Sequence, residues 1–142
     1  GTLVSGTANI GAHDVSVTTN ALNGYTVTVK AAATPPLVDA ANNLDPFTGT
    51  YATPTTWSAP AGTAASVNTG FFGYTTEDTG FSVFQTNKWA GSETTARAII
   101  TSAVPVGPSA QTKRIGWRAE VNTLQPPGAY TGTAILVATP TY

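Results

Sequence analysis

The chain has 142 residues, a formal net charge of −1 at pH 7, and neither cysteine nor methionine. Charged residues make up only 9% of the sequence, against about 25% in typical soluble domains. The near-neutral charge excludes the basic surface that nucleic acid requires, and the lack of cysteine excludes a disulfide framework. Because helical periodicity is almost absent and β-branched threonine is abundant, we expect one all-β domain over residues 1–142.

Residues 1–10 have an extended propensity and contain no charge and no proline. Natural edge strands usually carry charged residues or proline, because these prevent the strand from pairing with the edge of another sheet. Two arrangements are open: the segment is the first strand of its own domain, or it is exchanged into the next subunit. In the second arrangement the subunit interface contains Leu3, Val4, Ala8 and Ile10.

Alternating apolar residues predict a β-hairpin over residues 13–31. Its first strand alternates valine with polar residues, and its second strand has one continuous apolar face. Asn23 and Gly24 lie where a tight turn needs positive φ angles. His13 and Asp14 fall in the predicted turn before this hairpin, where we assign the histidine no role.

Residues 34–68 are rich in proline, glycine and small polar residues, and we expect a long ordered excursion across the domain. Within it, Asp39, Asn42 and Asp45 offer hard oxygen ligands of the kind that Ca²⁺ prefers. The stretch lacks the glycine and the bidentate glutamate of a defined calcium loop, so plain turns are the favoured interpretation. We therefore expect no metal and no cofactor.

Other strands are predicted from the same alternation, over residues 2–10, 51–57, 70–76, 81–85, 96–103, 114–121 and 130–139. The last of these is apolar on both faces, so its outer face needs cover from the chain's own excursion or from a neighbouring subunit. In the second case Ile135 and Val137 belong to the subunit interface. Eight or nine strands in a chain of this size indicate an antiparallel β-sandwich, either immunoglobulin-like or a jelly roll.

The three tryptophans are the strongest candidates for binding. Trp117 lies on the core-facing side of its predicted strand. Trp89 lies in a predicted loop, where it can fill the core, anchor a subunit interface or stack on a glycan. Together with Trp57, these rings could form the sugar-stacking platform of a carbohydrate-binding module.

Groups suited to catalysis are scarce. The chain has one histidine and no cysteine, and its seven carboxylates are scattered along its length. Glu77 and Asp78 are adjacent, but they fall in a predicted solvated turn over residues 75–80. We therefore expect a protein that is not an enzyme.

Two segments carry a family resemblance, residues 19–29 (TNALNGYTVTV) and residues 125–133 (QPPGAYTGT). Both resemble segments of exported bacterial surface proteins, and the second is similar to the pattern before the closing strand in spore coat protein U and pilin-like sandwich families. The resemblance implies an immunoglobulin-like sandwich that polymerises or decorates a surface, with subunits that exchange a terminal strand. Those families often carry a cysteine pair, so in this chain stability would come from packing, strand exchange or bound ions.

These expectations favour a structural subunit of an extracellular filament, pilus-like fibre or surface layer, whose partners are copies of itself. A carbohydrate-binding module with a glycan partner and a virion capsid or decoration protein are the alternatives. Because the chain begins at Gly1 and not at methionine, we expect a removed leader peptide and a location at the cell surface. No apolar run reaches the ~20 residues that span a membrane as a helix.

Overall fold

The backbone is built almost entirely from β-strands. The structure, a computed structural model, describes residues 2–142 and contains ten strands within that range. They are β1 (Asn9–Thr19), β2 (Tyr25–Ala31), β3 (Leu37–Asp39), β4 (Asn42–Pro46), β5 (Thr55–Thr56), β6 (Gly70–Thr76), β7 (Lys88–Gly91), β8 (Arg97–Ser102), β9 (Val106–Val121) and β10 (Ala134–Pro140). The prediction of an all-β chain is confirmed, and the short strands β3 and β5 raise the number of strands above the eight or nine expected.

The strands form two sheets. A seven-stranded sheet has the order β1-β9-β6-β4-β3, with β7 also paired to β6 and β5 paired to β7, and a three-stranded sheet has the order β10-β2-β8. The expectation of purely antiparallel pairing is wrong at one place, because β4 runs parallel to β6 through Asp45 and Pro46. Parallel neighbours need a long crossover connection, and residues 47–69 provide it.

The predicted hairpin over residues 13–31 is wrong. β1 pairs with β9 in the large sheet, whereas β2 pairs with β10 and β8 in the small sheet. The turn between them therefore carries the chain from one sheet to the other. Gly24 does adopt the positive φ expected of it, at 74°, and it is buried at this crossing.

A second sequence prediction fails between β6 and β7. Residues 81–85 do not form a strand, since Ser82–Phe84 turn through a short 3-10 helix. The turn buries Phe84, whose ring stacks on the ring of Tyr74 at a centroid distance of 5.8 Å. Burial of an aromatic side chain thus decides the local conformation over the strand propensity of the segment.

The main core lies between the two sheets. The alternation predicted for β2 is confirmed, because Tyr25, Val27, Val29 and Ala31 are all buried. Further buried side chains are Ile99 and Ile100 of β8 in the same sheet, and Tyr74 and Ile115 of the large sheet. Each fully buried aliphatic or aromatic side chain contributes about 1.5–3 kcal/mol to folding, so this cluster is what holds the sheets together.

A smaller aromatic cluster covers the other face of the large sheet. Phe47, Phe71 and Trp89 are buried there, and Trp57 packs against them. Trp57 and Phe47 belong to the excursion over residues 34–68, and their rings stack at a centroid distance of 4.2 Å. The guanidinium of Arg118 lies 4.7 Å from the Trp57 ring centroid, which adds a cation–π contact. The excursion therefore covers part of the sheet that a sandwich usually exposes.

Replacing Gly24 with alanine should reduce the free energy of unfolding by at least about 2 kcal/mol. The residue has a positive φ, and a Cβ atom there would collide with the carbonyl groups of Ser102 and Val104. Gly11→Ala is the matched control, because a Cβ atom at Gly11 meets nothing within 4 Å. Urea denaturation of both variants measures the difference in the free energy of unfolding. Equal stabilities would contradict the requirement for glycine at position 24, where the chain passes from one sheet to the other.

Candidate subunit interface

β10 lies at the rim of the small sheet, and one of its two edges is free. The Thr133 carbonyl accepts a hydrogen bond from the Ala32 N–H at 2.9 Å, which fixes the odd-numbered residues as those that bond to β2. Consecutive residues of a strand point their backbone groups to opposite sides. The residues that direct N–H and C=O groups to the free edge are therefore Ala134, Leu136 and Ala138. Within residues 2–142, no other strand pairs with this edge.

Pro140, the last residue of β10, obeys the same alternation. It occupies an even position, so its nitrogen faces the free edge and not β2. Proline has no N–H to donate and is tolerated in a strand where that group would face solvent. Its position supports the assignment of which residues point outward.

The opposite rim of the small sheet, β8, is satisfied by side chains of the chain itself. These side chains come from the excursion and from the end of β6 with the turn that follows it. The three hydrogen bonds run from the Tyr51 hydroxyl to the Ala98 carbonyl (2.8 Å), from the Thr76 hydroxyl to the Ile99 carbonyl (2.8 Å), and from the Thr101 N–H to a carboxylate oxygen of Asp78 (2.8 Å). The two rims of one sheet therefore differ: β8 is closed by its own chain, and β10 is open.

Asp78 corrects the expectation of a solvated turn over residues 75–80. Its side chain is buried, and one carboxylate oxygen accepts from the Gly80 N–H at 3.0 Å while the other accepts from Thr101. Lys113 lies 3.6 Å from the same carboxylate and balances its charge. Glu77 is exposed, as expected of a turn residue.

The outer face of β10 carries the two residues expected at an interface. Val137 is 49% exposed and Ile135 is half-buried, opposite Thr28 and Lys30 of β2. The alternative that the chain's own excursion covers this face is wrong at Val137, which is exposed, and the excursion's Phe47 and Trp57 lie against the large sheet. The apolar outer face of β10 therefore meets solvent in the isolated subunit.

The amino-terminal segment pairs with its own subunit only in part. The predicted strand over residues 2–10 is wrong for residues 2–8, since β1 begins at Asn9. One backbone bond, from the Gly6 N–H to the Val121 carbonyl at 2.8 Å, holds this segment to the large sheet. Among the predicted interface residues, Val4 and Ile10 are exposed by 59% and 63%, whereas Leu3 and Ala8 are half-buried.

Space remains between this segment and the loop that follows β9. A cavity of about 770 Å³ is lined by Thr2, Leu3 and Ser5 on one side. Residues 125–131 line its other side. This cavity is open to solvent, and Thr2, Val4 and Ser5 are exposed, so the amino-terminal segment buries little surface on its own subunit.

A second cavity, of about 280 Å³, lies between the two sheets beside β10. We call it the intersheet cavity. Ala134 and Leu136 of β10 form one of its borders, and His13 of β1 and Trp117 of β9 form another. The free edge of β10 thus borders an opening into the apolar interior.

His13 lies within β1, and the prediction that it occupies a turn is wrong. Its Nδ1 accepts a hydrogen bond from the Trp117 indole N–H at 2.9 Å, and the two rings stack with an interplanar angle of 16°. Its neighbour Asp14 points to the other face and accepts from Arg114 at 2.8 Å. This bond lowers the pKa of Asp14 below its usual value and raises that of Arg114.

The prediction that Trp89 belongs to a subunit interface is wrong, because its side chain is only 4% exposed. It lies in β7 and not in a loop. Its ring packs edge-on against Trp57 at a centroid distance of 5.9 Å. The three tryptophans do not share one surface: Trp117 faces the intersheet cavity, and the other two lie on the opposite side of the large sheet. A common sugar-stacking platform is therefore not formed.

Two of the three weak calcium candidates, Asn42 and Asp45, accept hydrogen bonds from protein donors. The Asp45 carboxylate accepts from the Asn43 side-chain amide at 2.7 Å and from the Asn68 N–H at 2.8 Å, and Asn42 accepts from Ser66. Asp39 and Asn42 are paired across the β3–β4 turn. Over residues 2–142, no cluster of three or more histidine, cysteine or acidic side chains is placed to hold a metal ion.

Comparisons with known proteins add no family to this description. No family model matches the chain, and neither the curated proteins nor the solved structures that were compared contain a match. In the part of the chain that the structure describes, no helix has the length and apolar character needed to cross a membrane.

Tyr74→Phe should raise the free energy of unfolding at pH 7 by about 1 kcal/mol, because the buried Tyr74 hydroxyl has no hydrogen-bond partner among residues 2–142. Burial, reinforced by the negative charge of Glu93, raises the pKa of this hydroxyl above its ordinary value. The folded state therefore favours the neutral hydroxyl. The free energy of unfolding keeps its full value below about pH 10, where Tyr74 is neutral in both states, and falls as the pH rises further because the hydroxyl ionises more readily in the unfolded chain.

The variant should accordingly lose less stability than the wild type between pH 9.5 and pH 11. Urea denaturation across this range measures the effect, and Tyr142→Phe, at an exposed position, is the control. A Tyr74→Phe variant with the wild-type alkaline profile would contradict the prediction.

Proposed function

We propose that the chain is a structural subunit of an extracellular filament, pilus-like fibre or surface layer, and that its copies join by strand addition at the free edge of β10. The observation that carries the proposal is the difference between the two rims of the small sheet. The rim at β8 is closed by three side chains of its own chain, whereas β10 offers unpaired backbone groups. Such an open edge is a template for pairing with another chain.

The free edge offers both hydrogen bonds and apolar area to a neighbouring chain. Ala134, Leu136 and Ala138 each present one donor and one acceptor, and a hydrogen bond of this kind contributes about 0.5–1.5 kcal/mol net. Val137 and Ile135 add apolar area that a neighbouring chain can remove from water. The net charge of −1 means that copies approach each other against little long-range repulsion.

The occupant of the edge that we propose is the amino-terminal segment, residues 2–8, of a second copy. This segment has seven residues and so has β10, so an extended donor reaches along the whole strand at about 3.3 Å per residue. It carries no charge and no proline, and one backbone bond attaches it to the large sheet of its own subunit. Little is lost when it leaves that position, which favours exchange.

Exchange in one direction gives a heterologous contact. Each subunit then donates its segment to the next and receives one from the previous copy, and such contacts generate open fibres when the rotation between copies does not close. In this proposal the chain has no catalytic role. Its single histidine is bonded to Trp117, which agrees with a structural function of that residue.

A proline at position 138 tests the proposal. In Ala138→Pro the lost N–H is one that faces the free edge, so the bonds to β2 and the thermal stability should be retained within a few degrees. Assembly should be lost, because proline removes one donor and its ring obstructs an incoming strand. Ala138→Val, which keeps the N–H, is the matched control and should assemble as the wild type does.

Size-exclusion chromatography and negative-stain imaging of the three proteins provide the measurement. Fibres from the wild type and from Ala138→Val, with monomers from Ala138→Pro, support the proposal. Fibres from all three proteins would sink the assignment to β10. Closed shells would favour a capsid or decoration protein, and a wild-type monomer whose tryptophan fluorescence changes with polysaccharide would favour a carbohydrate-binding module.

The identity of the donor has its own test. Deleting residues 1–8 leaves β1 intact, so the shortened chain should fold but remain monomeric. A synthetic peptide of residues 1–8 should then bind it and raise its melting temperature, since a ligand of the folded state stabilises that state. A scrambled peptide of the same composition is the control. Assembly of the shortened chain would exclude this segment as the donor.

A further inference from the structure

β10 runs from one end of the molecule to the other, and the proposed donor segment leaves from the end where β10 begins. The cavity that Leu3 lines is also lined by Val121 and Thr131, and Thr131 lies three residues before β10. The Gly6 N–H bonds to the Val121 carbonyl at this same end. A segment that leaves its own subunit therefore starts beside the first residue of β10. It lies about 20 Å from the last residue, since a strand rises about 3.3 Å per residue.

The other end of β10 meets two exposed turns. The Thr141 N–H donates to the Gly24 carbonyl at 2.9 Å, and Gly24 lies against the carbonyl groups of Ser102 and Val104. The turn before β2 and the turn between β8 and β9 therefore meet beside the last residues of β10. Each turn exposes an apolar side chain, since Leu22 is 74% exposed and Val104 is 61% exposed. We call these two residues the apolar end.

The direction of the donor strand decides where the rest of the donor copy lies. β1 begins at Asn9, directly after the donor segment, so no linker separates the segment from the rest of its subunit. An antiparallel donor places that subunit at the Ala134 end of the acceptor, beside the acceptor's own segment, where two copies can exchange segments in a closed pair. A parallel donor places it at the Pro140 end, about 20 Å from the acceptor's segment, which stays free for a third copy. An open fibre therefore favours the parallel direction.

The side chains of the two strands also match in the parallel direction. When the seven residues 2–8 are aligned with the seven residues of β10, Leu3 lies beside Ile135 and Thr7 lies beside Thr139 on the outer face. The antiparallel alignment places Leu3 beside Thr139 and Thr7 beside Ile135, so that each apolar side chain meets a hydroxyl. Paired apolar side chains remove more apolar area from water, and this also favours the parallel direction.

We propose that the donor strand runs parallel to β10 and that the apolar end, Leu22 and Val104, is a second contact surface that receives the opposite end of the donor copy. This inference rests on the proposed function, because it concerns the same strand addition. The donor's opposite end also exposes apolar side chains, since Ile10 of β1 is 63% exposed and Leu124, after β9, is 47% exposed. Each junction of the fibre thus brings together two apolar surfaces that meet solvent in the single subunit.

Engineered disulfides test the direction, because the chain has no cysteine of its own. Thr7→Cys combined with Thr139→Cys should link successive copies, since neighbouring strands lie within the Cα separation of about 4.4–6.8 Å that a disulfide requires. Thr7→Cys combined with Ile135→Cys is the matched control and reports the antiparallel alignment. Positions 135 and 139 lie about 13 Å apart along the strand, so one thiol does not reach both. Non-reducing electrophoresis of the assembled protein, with mass spectrometry of the linked peptides, provides the measurement.

The outcomes separate the inference from the proposed function. A ladder of linked copies from the Thr139→Cys pair alone supports the parallel direction. A ladder from the Ile135→Cys pair, or fibres without a ladder from either pair, overturns it, while the Ala138→Pro result decides separately on strand addition at β10. A wild type that stays monomeric overturns the proposed function and the inference with it.

Lysine at the apolar end tests the second surface. Leu22→Lys and Val104→Lys, each at an exposed position, should keep the melting temperature within a few degrees. Each should raise the protein concentration needed for fibres at least about tenfold, because the contact then buries a charged group. Thr56→Lys adds the same charge at an exposed position of β5 and should leave that concentration within about threefold of the wild-type value. Fibres from Leu22→Lys and Val104→Lys at the wild-type concentration would overturn the contact surface.

Discussion

The backbone hydrogen bonds at the two rims of the three-stranded sheet decide how much of this molecule is complete in one copy. Buried backbone groups require partners, and at β8 the partners are side chains from the excursion and from the end of β6 with the turn that follows it. Asp78 is the most demanding of them, because its buried carboxylate is tolerated only with two N–H donors and a nearby lysine. No comparable arrangement exists for β10 within residues 2–142.

Around β6 and β7, the large sheet is covered on both faces. The excursion places Phe47 and Trp57 on one face, and the main core occupies the other. The burial of Arg118 and Glu120 follows from this cover: they form an ion pair at 3.2 Å, and Glu120 also accepts from the Trp57 indole at 2.8 Å. Residues that would lie on the solvent face of an ordinary sandwich are therefore part of its interior.

Local patterns in the sequence located several of the strands but not their partners. Period-two alternation identified β2 and the core-facing side of β9, because one face of each is buried. The same pattern cannot say that β1 pairs with β9, since pairing depends on contacts about 100 residues apart. The hydrogen bonds to the edge of β8 could not be predicted either, because no sequence pattern connects Tyr51 with Thr76 and Asp78. For β10, the two apolar faces predicted that the outer face needs cover, but the free edge could be identified only from the hydrogen bonds to β2.

Pro140 also has a consequence for how the carboxyl-terminal strand finds its place during folding. If β10 slid by one residue along β2, the proline nitrogen would fall where the ladder needs a donor, and Leu136 would leave the core for water. Both costs oppose the same shift in register. The lost backbone hydrogen bond and the exposed leucine side chain therefore select the correct alignment together. One edge of β10 is therefore free to pair with another chain, while the register of its other edge against β2 is uniquely determined.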